Sequence, residues 1–351
     1  MRDQATEEPH ISFSMPTVSV IIPTYNSGDK LGFCLQSIKE QKYNPENIEI
    51  LIMDGGSTDD TIEIAKTYGA KIIENKLKTA EAGKSLGIHH ATGELILFID
   101  SDNILDQNDW LIMTVKPLSN SDVFASESLY WGYSREHSVV NRYCAMTGVN
   151  DPLTIFIGNY SRYSYLTKRW TDLKINSTQY DDGSIVIDLS KSQIPLLGAN
   201  GAIFRRNVLE NVKTGDYYFD IDAINDIVGR GYSLYARVPT SVTHLFSSGI
   251  RQFIKKTKRR VKDYLYFKKR NVRTYPWMAI NSGGIIKFVV FTIFVVPLFI
   301  QALRGYINKP DRAWFFHIPA CWITLIIYSS SMIKDVFSRH SDIYSREGWK
   351  Q

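Results

Sequence analysis

The sequence is poor in cysteine, has no apolar segment at its start and contains no repeat or low-complexity tract. Its three cysteines, Cys34, Cys144 and Cys321, are far apart and odd in number, so they form neither a disulfide framework nor a metal-binding spacing. We therefore expect a reducing compartment. The opening residues MRDQATEEPH are charged and polar, so we also expect no signal peptide. A chain of 351 residues is long enough for one large α/β domain and a smaller unit.

Basic charge is concentrated in one segment. The whole chain has a net charge of +5, yet Arg251 to Arg273 alone holds eleven Lys or Arg against a single acid, Asp263. Apolar residues recur at helical spacing in the same segment, which predicts a basic amphipathic helix over residues 249–275. Such a helix is typical of the interface of an anionic membrane, and its position beside apolar segments argues against a nucleic acid as the partner.

Long apolar runs occur late in the chain. Ile285 to Leu303 holds about 19 residues with one charge near its start, enough to cross a bilayer core. A second run, Ala313 to Ile333, follows a short polar loop. We predict two apolar membrane helices within residues 283–334, forming a hairpin with both ends on one side. Two re-entrant or in-plane helices, or a pair of buried core helices, are the alternatives.

The first hundred residues alternate between strand and helix patterns. The apolar runs VSVIIPTY, IEILIMD and ELILFID are typical of buried parallel strands, and helical spacing separates them. This alternation predicts an α/β fold with a Rossmann-like, mostly parallel sheet. The glycine fingerprint GxGxxG does not follow the first strand, which argues against a dinucleotide oxidoreductase.

Three of the predicted strands end in distinctive residues. These residues are Pro23, Thr24, Tyr25 and Asn26, then Asp54 and Gly55, then Asp100, Ser101 and Asp102. Ligands of an open parallel sheet bind outside the carboxyl ends of its strands. Two carboxylates one residue apart suit a hard divalent cation that also binds substrate phosphates, so Asp100 and Asp102 are predicted to hold a metal–diphosphate. Asp-x-Asp pairs also occur in ordinary turns, and it is the position after a buried strand that strengthens the prediction.

Three strings occur in an order that resembles one family. VSVIIPTYN, MDGGSTDDT and GIHHATGELILFIDSDN together look like the nucleotide-sugar domain of the family-two inverting glycosyltransferases, which have the GT-A fold. The resemblance covers about Pro16 to Asn103 and resumes at GANGAIFRRNVLENV and DYYFDIDAINDIVGRGY. It implies a nucleotide-sugar donor and Mg²⁺ or Mn²⁺ as the cofactor. Many relatives have two acids where this chain has Asp54 and Gly55, a departure that bears on base recognition.

The resemblance also implies a role for each matching residue. A donor site would contain Pro23, Thr24, Tyr25, Asn26, Asp54, Gly55, Lys84, Asp100 and Ser101. Asp102 would bind the cation, with Asp100 and His244 as further ligands, and Asn200 would lie on the acceptor side. A solvated helix lysine is the alternative for Lys84, and a buried structural histidine is the alternative for His244.

Inverting transfer needs a general base that deprotonates the acceptor hydroxyl, and an ionised carboxylate suits that task. In the family this base is an aspartate that opens a helix. Counting back from Gly231 matches Asp220 to it, with Asp222 in reserve. An acid at a helix start is also stabilised by the helix dipole, so a structural role is the alternative for both residues.

These features together predict a membrane-associated glycosyltransferase with its catalytic domain on the cytoplasmic face. The predicted acceptor is a polyprenyl-diphosphate-linked sugar or another glycolipid. A polyprenyl-phosphate monosaccharide synthase and a non-catalytic membrane scaffold are the alternatives, and the sequence leaves the nucleotide, the sugar and the oligomeric state open. The predicted units are a polar tail (1–15), a catalytic domain (16–248), the basic helix (249–275), the apolar helices (283–334) and a second polar tail (335–351). The catalytic domain is predicted to have a nucleotide-sugar or donor half (16–106) and an acceptor half (107–248).

Overall fold

The structure, a computed structural model, describes residues 15–190, 193–198, 200–213, 215–269, 273, 275 and 281–337. Most of the two predicted polar tails therefore lies outside the described residues. The strands are β1 (Val18–Thr24), β2 (Ile48–Asp54), β3 (Lys71–Glu74), β4 (Leu95–Phe98), β5 (Asn103–Leu105), β6 (Val123–Trp131), β7 (Asn176–Gln179), β8 (Ile185–Asp188), β9 (Ala202–Arg205) and β10 (Leu234–His244). The helices are α1 (Gly28–Lys39), α2 (Thr61–Thr67), α3 (Ala80–His90), α4 (Trp110–Val115), α5 (Val139–Thr147), α6 (Leu153–Ile157), α7 (Arg206–Leu209), α8 (Asp220–Gly229), α9 (Ile250–Lys269), α10 (Ser282–Phe294), α11 (Val296–Asn308) and α12 (His317–Phe337).

The strands form one mixed sheet in the order β3-β2-β1-β4-β9-β6-β10-β8-β7, with β5 paired to β10 outside this path. The first four strands are parallel, as the sequence predicts, and β6 is parallel to β10. However, β9 lies between β4 and β6 and is antiparallel to both. The prediction of a mostly parallel sheet is therefore correct for the first half and wrong for the second. The chain enters β9 at the carboxyl end of β4, where the Gly201 amide donates to the Phe98 carbonyl, so β9 must run in the opposite direction.

Both faces of the sheet are covered. In β1, Val20 and Ile22 belong to an apolar cluster that includes residues of α1, whereas Ile21 belongs to a cluster on the other face with Ile88 of α3. Successive side chains of a strand point to opposite faces, so a strand buried on both faces needs an unbroken apolar run. This requirement explains the VSVII pattern and leaves the carboxyl ends of the strands as the exposed edge with polar residues.

The predicted basic helix is present as α9, but its apolar face is not open to lipid. Phe253, Val261 and Leu265 are buried, and the last two pack in a cluster with Ile327 of α12. The expectation that this face lies in a membrane interface is therefore wrong, because protein covers it. The basic residues on the other side of the helix, such as Lys258, are exposed.

The predicted pair of membrane helices is matched only in part. The first apolar run is broken into α10 and α11, which meet at a 97° bend. The break follows from Pro297 at the start of α11 and from Val295, whose φ of 59° is left-handed. Each half has 13 residues, or about 20 Å, which is shorter than a bilayer core. Within the described residues, one unbroken helix, Arg312–Phe337, is long and apolar enough to cross a membrane, and the bent pair adds a second span if it counts as one.

Candidate active site

The acidic turn after β4 is held in place by hydrogen bonds on both sides. The Asn103 amide donates to the Asp100 carbonyl at 3.0 Å, and the Asp100 amide donates to Asn103 Oδ1 at 3.1 Å. The Leu245 amide donates to the Asp102 carbonyl at 2.8 Å, which ties the turn to the end of β10. Ser101 Oγ donates to Ser27 Oγ at 3.0 Å. The turn is therefore fixed between the loop after β1 and the end of β10.

Two cationic or ionisable side chains contact Asp102. His244 Nε2 lies 3.3 Å from Asp102 Oδ1, and Lys256 Nζ lies 3.2 Å from Asp102 Oδ2. Burial disfavours the charged form of this carboxylate, but the contacts with His244 and Lys256 outweigh burial and hold the pKa of Asp102 well below its usual range. Asp102 is therefore ionised at neutral pH, as a metal ligand must be.

The predicted metal ligands are only partly brought together. Among the described residues, no group of three or more His, Cys, Asp or Glu side chains converges. Asp102 and His244 do meet, whereas the neighbouring Asp100 interacts electrostatically with Lys84 as well as with Asp102. Burial raises the pKa of Asp100, and Lys84 opposes that rise. Because Mg²⁺ usually takes one or two carboxylates and completes its shell with water and substrate phosphates, these residues fit a cation shared with a diphosphate.

Lys84 and Asp220 form an ion pair across the site. Lys84 Nζ of α3 lies 2.9 Å from Oδ1 of Asp220, the first residue of α8, and their side chains are 7% and 27% exposed. Lys84 Nζ also lies 5.7 Å from the centre of the Phe98 ring, directly before the acidic turn. The alternative of a solvated lysine is therefore wrong for Lys84. Burial raises the pKa of Asp220 to about 6, although the Lys84 ammonium opposes the rise.

The reserve base, Asp222, is engaged elsewhere. Arg273 Nη2 lies 2.6 Å from Asp222 Oδ2, and the Tyr275 amide donates to Asp222 Oδ1 at 2.8 Å. Both carboxylate oxygens therefore bind the segment that follows α9. Of the two candidates, Asp220 is the one beside Lys84 and the acidic turn. The choice of Asp220 as the base stays a prediction.

The ends of β1 and β2 meet at the predicted nucleoside pocket. The amides of Gly56 and Ser57 donate to Asp54 Oδ2 at 2.8 and 2.9 Å, and Thr24 Oγ1 donates to Asp54 Oδ1 at 3.2 Å. Gly55 is joined to the same edge because its amide donates to the Thr24 carbonyl at 2.8 Å. Asp54 therefore shapes its own loop, a role that the sequence interpretation did not include.

The loop after β1 completes this edge. Asn26 has a left-handed φ of 47°, and its Oδ1 accepts a hydrogen bond of 2.8 Å from the Thr58 amide. Pro23 is buried within β1, whereas the neighbouring Tyr25 is 40% exposed. An exposed aromatic ring at a strand end is available to stack on a planar ligand. These residues are therefore brought together as predicted, and their role in binding a nucleoside stays a prediction.

Asn200 lies in a left-handed loop next to Asp220. Gly198, Asn200 and Gly201 have φ values of 90°, 49° and 88°, which only glycine adopts at low cost, with asparagine next. A Cβ on Gly198 would lie 3.4 Å from the Cβ of Asp220. The Asn200 side chain is buried, and its Oδ1 has no hydrogen-bond partner among the described residues. Buried acceptor atoms almost always have a hydrogen-bond partner, so this oxygen marks the loop as part of the candidate site.

A buried charged network behind this loop was missed at the sequence level. Glu127 of β6 is fully buried between Arg162 and Arg237, with Arg162 Nη1 3.3 Å from its Oε1 and a direct ion pair to Arg237. The Gly198 amide donates to Glu127 Oε2 at 3.1 Å, and Arg162 Nη2 donates to the Asn200 carbonyl at 2.9 Å. Charged residues inside the strand patterns VFASESLYW and LYARVP could have revealed the network.

The mixed sheet, whose parallel half ends in an acidic turn beside a helix that starts with a carboxylate, has the α/β architecture of the GT-A fold. Residues 19–212, more than half of the chain, match the family model described as glycosyl transferase family 2. The chain therefore belongs to glycosyl transferase family 2, which confirms the resemblance that the sequence strings indicate.

Proteins of several organisms are similar to this chain. Glycosyltransferase AglE of Haloferax volcanii is 29% identical over 143 residues, which are 39% of this chain and 47% of AglE. Glycosyltransferase GlyG of Streptococcus pneumoniae is 35% identical over 139 residues, 37% of this chain and 44% of GlyG. The chain thus spans less than half the length of these curated relatives. The solved mannosyltransferase PcManGT of Pyrobaculum calidifontis has a TM-score of 0.50 at 16% identity, with 93% of this chain and 89% of PcManGT covered, a likeness of fold.

Proposed function

We propose that this protein transfers a sugar from a nucleotide-sugar donor to an acceptor hydroxyl, with inversion at the anomeric carbon. The observation that carries the proposal is the Asp220 carboxylate, ion-paired to Lys84 at 2.9 Å beside the acidic turn of Asp100 and Asp102. A base, a cation-binding carboxylate and a buried ammonium thus occupy one edge of the sheet. These are the groups needed at the acceptor oxygen and at the leaving diphosphate.

Asp220 accepts the proton of the attacking hydroxyl in this mechanism. Its pKa of about 6 keeps most of it ionised at neutral pH and keeps it basic enough to take a proton. Lys84 orients the Asp220 carboxylate through the ion pair. Asn200 Oδ1, which has no partner among the described residues, accepts a hydrogen bond from a hydroxyl of the sugar or acceptor in this proposal. The acceptor oxygen bonds to the anomeric carbon as the bond from that carbon to the diphosphate oxygen breaks, and the acceptor proton moves to Asp220 Oδ2, the oxygen that Lys84 does not hold.

Asp102 and His244 would hold Mg²⁺ or Mn²⁺, and Asp100 lies one residue away. The bound cation would neutralise charge on the departing nucleoside diphosphate. PcManGT, with which this chain shares its fold, was solved with GDP-Man and Mn²⁺, and this supports both the class of donor and the cation.

The acceptor is proposed to be lipid-linked, and the protein to be attached to a membrane with its catalytic domain in the cytoplasm, where nucleotide sugars are found. Support comes from the apolar residues that α10 and α11 leave exposed, among them Ile286 (64%), Phe294 (66%) and Ile307 (72%). Soluble monomers rarely expose contiguous apolar patches of this kind. Because α10 and α11 are bent by 97°, we propose that they enter one leaflet as a wedge and that α12 is the element long enough to span.

A second acceptor class is favoured by one observation. The Lys84 ammonium holds Asp220 Oδ1, and this contact reduces the readiness of Asp220 to accept a proton. A polyprenyl phosphate needs no such base, because its oxygen is already ionised. The protein would then be a polyprenyl-phosphate monosaccharide synthase.

Asp220→Asn separates the two acceptors. With a hydroxyl acceptor, the substitution removes the base and lowers kcat by about 10²- to 10⁴-fold. With a lipid phosphate acceptor, kcat changes little. The measurement is the rate of transfer to each lipid, with Asp222→Asn as the matched control on the same helix. An equal loss in both variants would contradict a special role for Asp220.

The donor is identified by incubating the purified full chain with Mn²⁺ and a panel of nucleotide sugars, and measuring the release of nucleoside diphosphate. One donor should stand out, and Asp102→Ala should abolish its turnover. If no donor is bound or turned over under any condition, the protein is a membrane scaffold with the same fold and the enzymatic proposal is wrong.

A further inference from the structure

Lys256 reaches the proposed cation site from outside the sheet. It lies on α9, whereas the acidic turn follows β4, and its Nζ is 3.2 Å from Asp102 Oδ2. The ammonium also lies 4.5 Å from the centre of the Phe246 ring, a favourable cation–π distance. Its side chain is 30% exposed, so the contact is neither a deeply buried ion pair nor a freely moving surface lysine. Two contacts therefore hold this ammonium at one oxygen of Asp102.

Both oxygens of Asp102 are engaged, one by Lys256 and one by His244. A cation that binds Asp102 must share or take over these positions. A histidine nitrogen can itself become a metal ligand, but an ammonium has three donors and no lone pair. Of the two neighbours, Lys256 is therefore the one whose charge opposes a cation at Asp102.

We propose that Lys256 is a tethered competitor of the divalent cation at Asp102, which makes cation binding depend on the donor diphosphate. This inference rests on the cation site of the proposed function. A cation that arrives alone displaces an ammonium and then lies beside its positive charge. A cation that arrives with a diphosphate brings anionic oxygens into the site. The Lys256 ammonium can leave Asp102 and pair with one of these oxygens, so its charge stays compensated. The protein thus binds the cation together with its nucleotide and only weakly without it.

The direct test is a titration of the full chain with Mn²⁺ alone. Binding is measured from the electron paramagnetic resonance signal of the Mn²⁺ that stays free. Removing a positive charge within about 4 Å of the ligand should tighten Mn²⁺ binding by about tenfold or more in Lys256→Met. Lys256→Arg keeps the charge and should bind Mn²⁺ as weakly as the wild type. Lys256→Gln is the second neutral variant, and thermal unfolding checks that each protein is folded.

The matched control is Lys258→Met. Lys258 lies two residues along the same helix on its exposed side, so the net charge of the chain changes equally while Asp102 keeps its contacts. Mn²⁺ binding to this variant should equal that of the wild type. Tightening of similar size in Lys258→Met would mean that the effect is one of overall charge, and the competitor role would be wrong.

A second titration adds UDP or GDP as the diphosphate probe. The wild type should gain strongly in Mn²⁺ affinity when the matching nucleotide is present, and Lys256→Met should gain several-fold less. If Mn²⁺ binds with the nucleotide but Lys256→Met and Lys256→Gln bind Mn²⁺ alone no better than the wild type, this inference fails and the proposed function stands. If no variant binds Mn²⁺ with either nucleotide, the cation site itself is wrong.

Discussion

Two carboxylates at this site each contact a basic side chain. Asp220 is paired with Lys84, and Asp102 with Lys256 and His244, so each carboxylate at the edge of the sheet has a nearby partner. Burial acts on the two carboxylates in the same direction, but the contacts of Asp102 outweigh it and that of Asp220 does not. The pKa of Asp102 is therefore lowered and that of Asp220 raised. This divergence suits a metal ligand and a proton acceptor respectively.

The pKa of Asp220 predicts a pH dependence. A base must be ionised to act, so kcat/KM should be constant above about pH 7 and fall tenfold per pH unit below about pH 6. Lys84→Met removes the charge that opposes the rise, so the pKa of Asp220 should increase further and the acidic limb should move to higher pH. The measurement is kcat/KM against pH at saturating Mn²⁺. An acidic limb that stays in place in Lys84→Met would contradict the assignment of Asp220 as the base.

At the scale of elements, the loop that contains Asn200 owes its conformation to β6 and β10. Glu127 and Arg162 hold the loop backbone at Gly198 and at Asn200, while Arg237 of β10 forms a second ion pair with Glu127. A loop with three left-handed residues is otherwise costly to keep in one conformation. The network therefore holds in place the loop that is predicted to lie on the acceptor side.

Glu127→Ala should destabilise the whole domain. It leaves two buried arginines without their counter-ion, and breaking a buried ion pair in this way costs about 3–5 kcal/mol. Urea unfolding followed by circular dichroism measures the loss. Asp182→Ala, which breaks the exposed pair with Lys116, is the control and should change stability by less than about 1 kcal/mol. Equal small effects in the two variants would show that the network contributes little.

At the scale of the molecule, the catalytic sheet and the apolar helices are packed together. Gly284 of α10 approaches the backbone of Phe156, and Trp314 packs on Gly305 of α11, so the apolar helices are built onto the acceptor half. The basic helix α9 lies between the acidic turn, which it meets through Lys256, and α12. The basic helix α9 therefore connects the proposed cation site to α12.

The wedge predicts binding to lipid vesicles. Ile286→Glu combined with Phe294→Glu puts two charges on the exposed face of α10, and flotation with vesicles that contain anionic lipid should fall severalfold. Phe33→Glu is the control, because Phe33 is equally exposed (62%) but lies on α1 of the donor half. It should float like the wild type. Unchanged flotation of the double variant would mean that α12 accounts for the attachment, and the wedge proposed for α10 would be wrong.

Much of the donor half was determined by the sequence alone. Continuous apolar runs can be buried on both faces only as central strands, and the acids that follow them then lie at one edge. The four parallel strands and the acidic turn of Asp100 to Asp102 follow from this local pattern. The family motif adds Asp220, which the structure brings next to Lys84 from 136 residues away.

The tertiary structure alone decided which charges meet and where helices bend. The spacing of apolar residues in the sequence does not predict that Lys256 contacts Asp102 while Lys258 faces solvent. It also does not predict that two arginines contact Glu127. The apolar run from Ile285 to Leu303 satisfies the length for a span, yet Pro297 and the left-handed Val295 divide it. Local sequence determines which groups prefer burial. Which distant charges pair, and which surface covers an apolar helix face, depends on contacts that form only when the whole chain is packed.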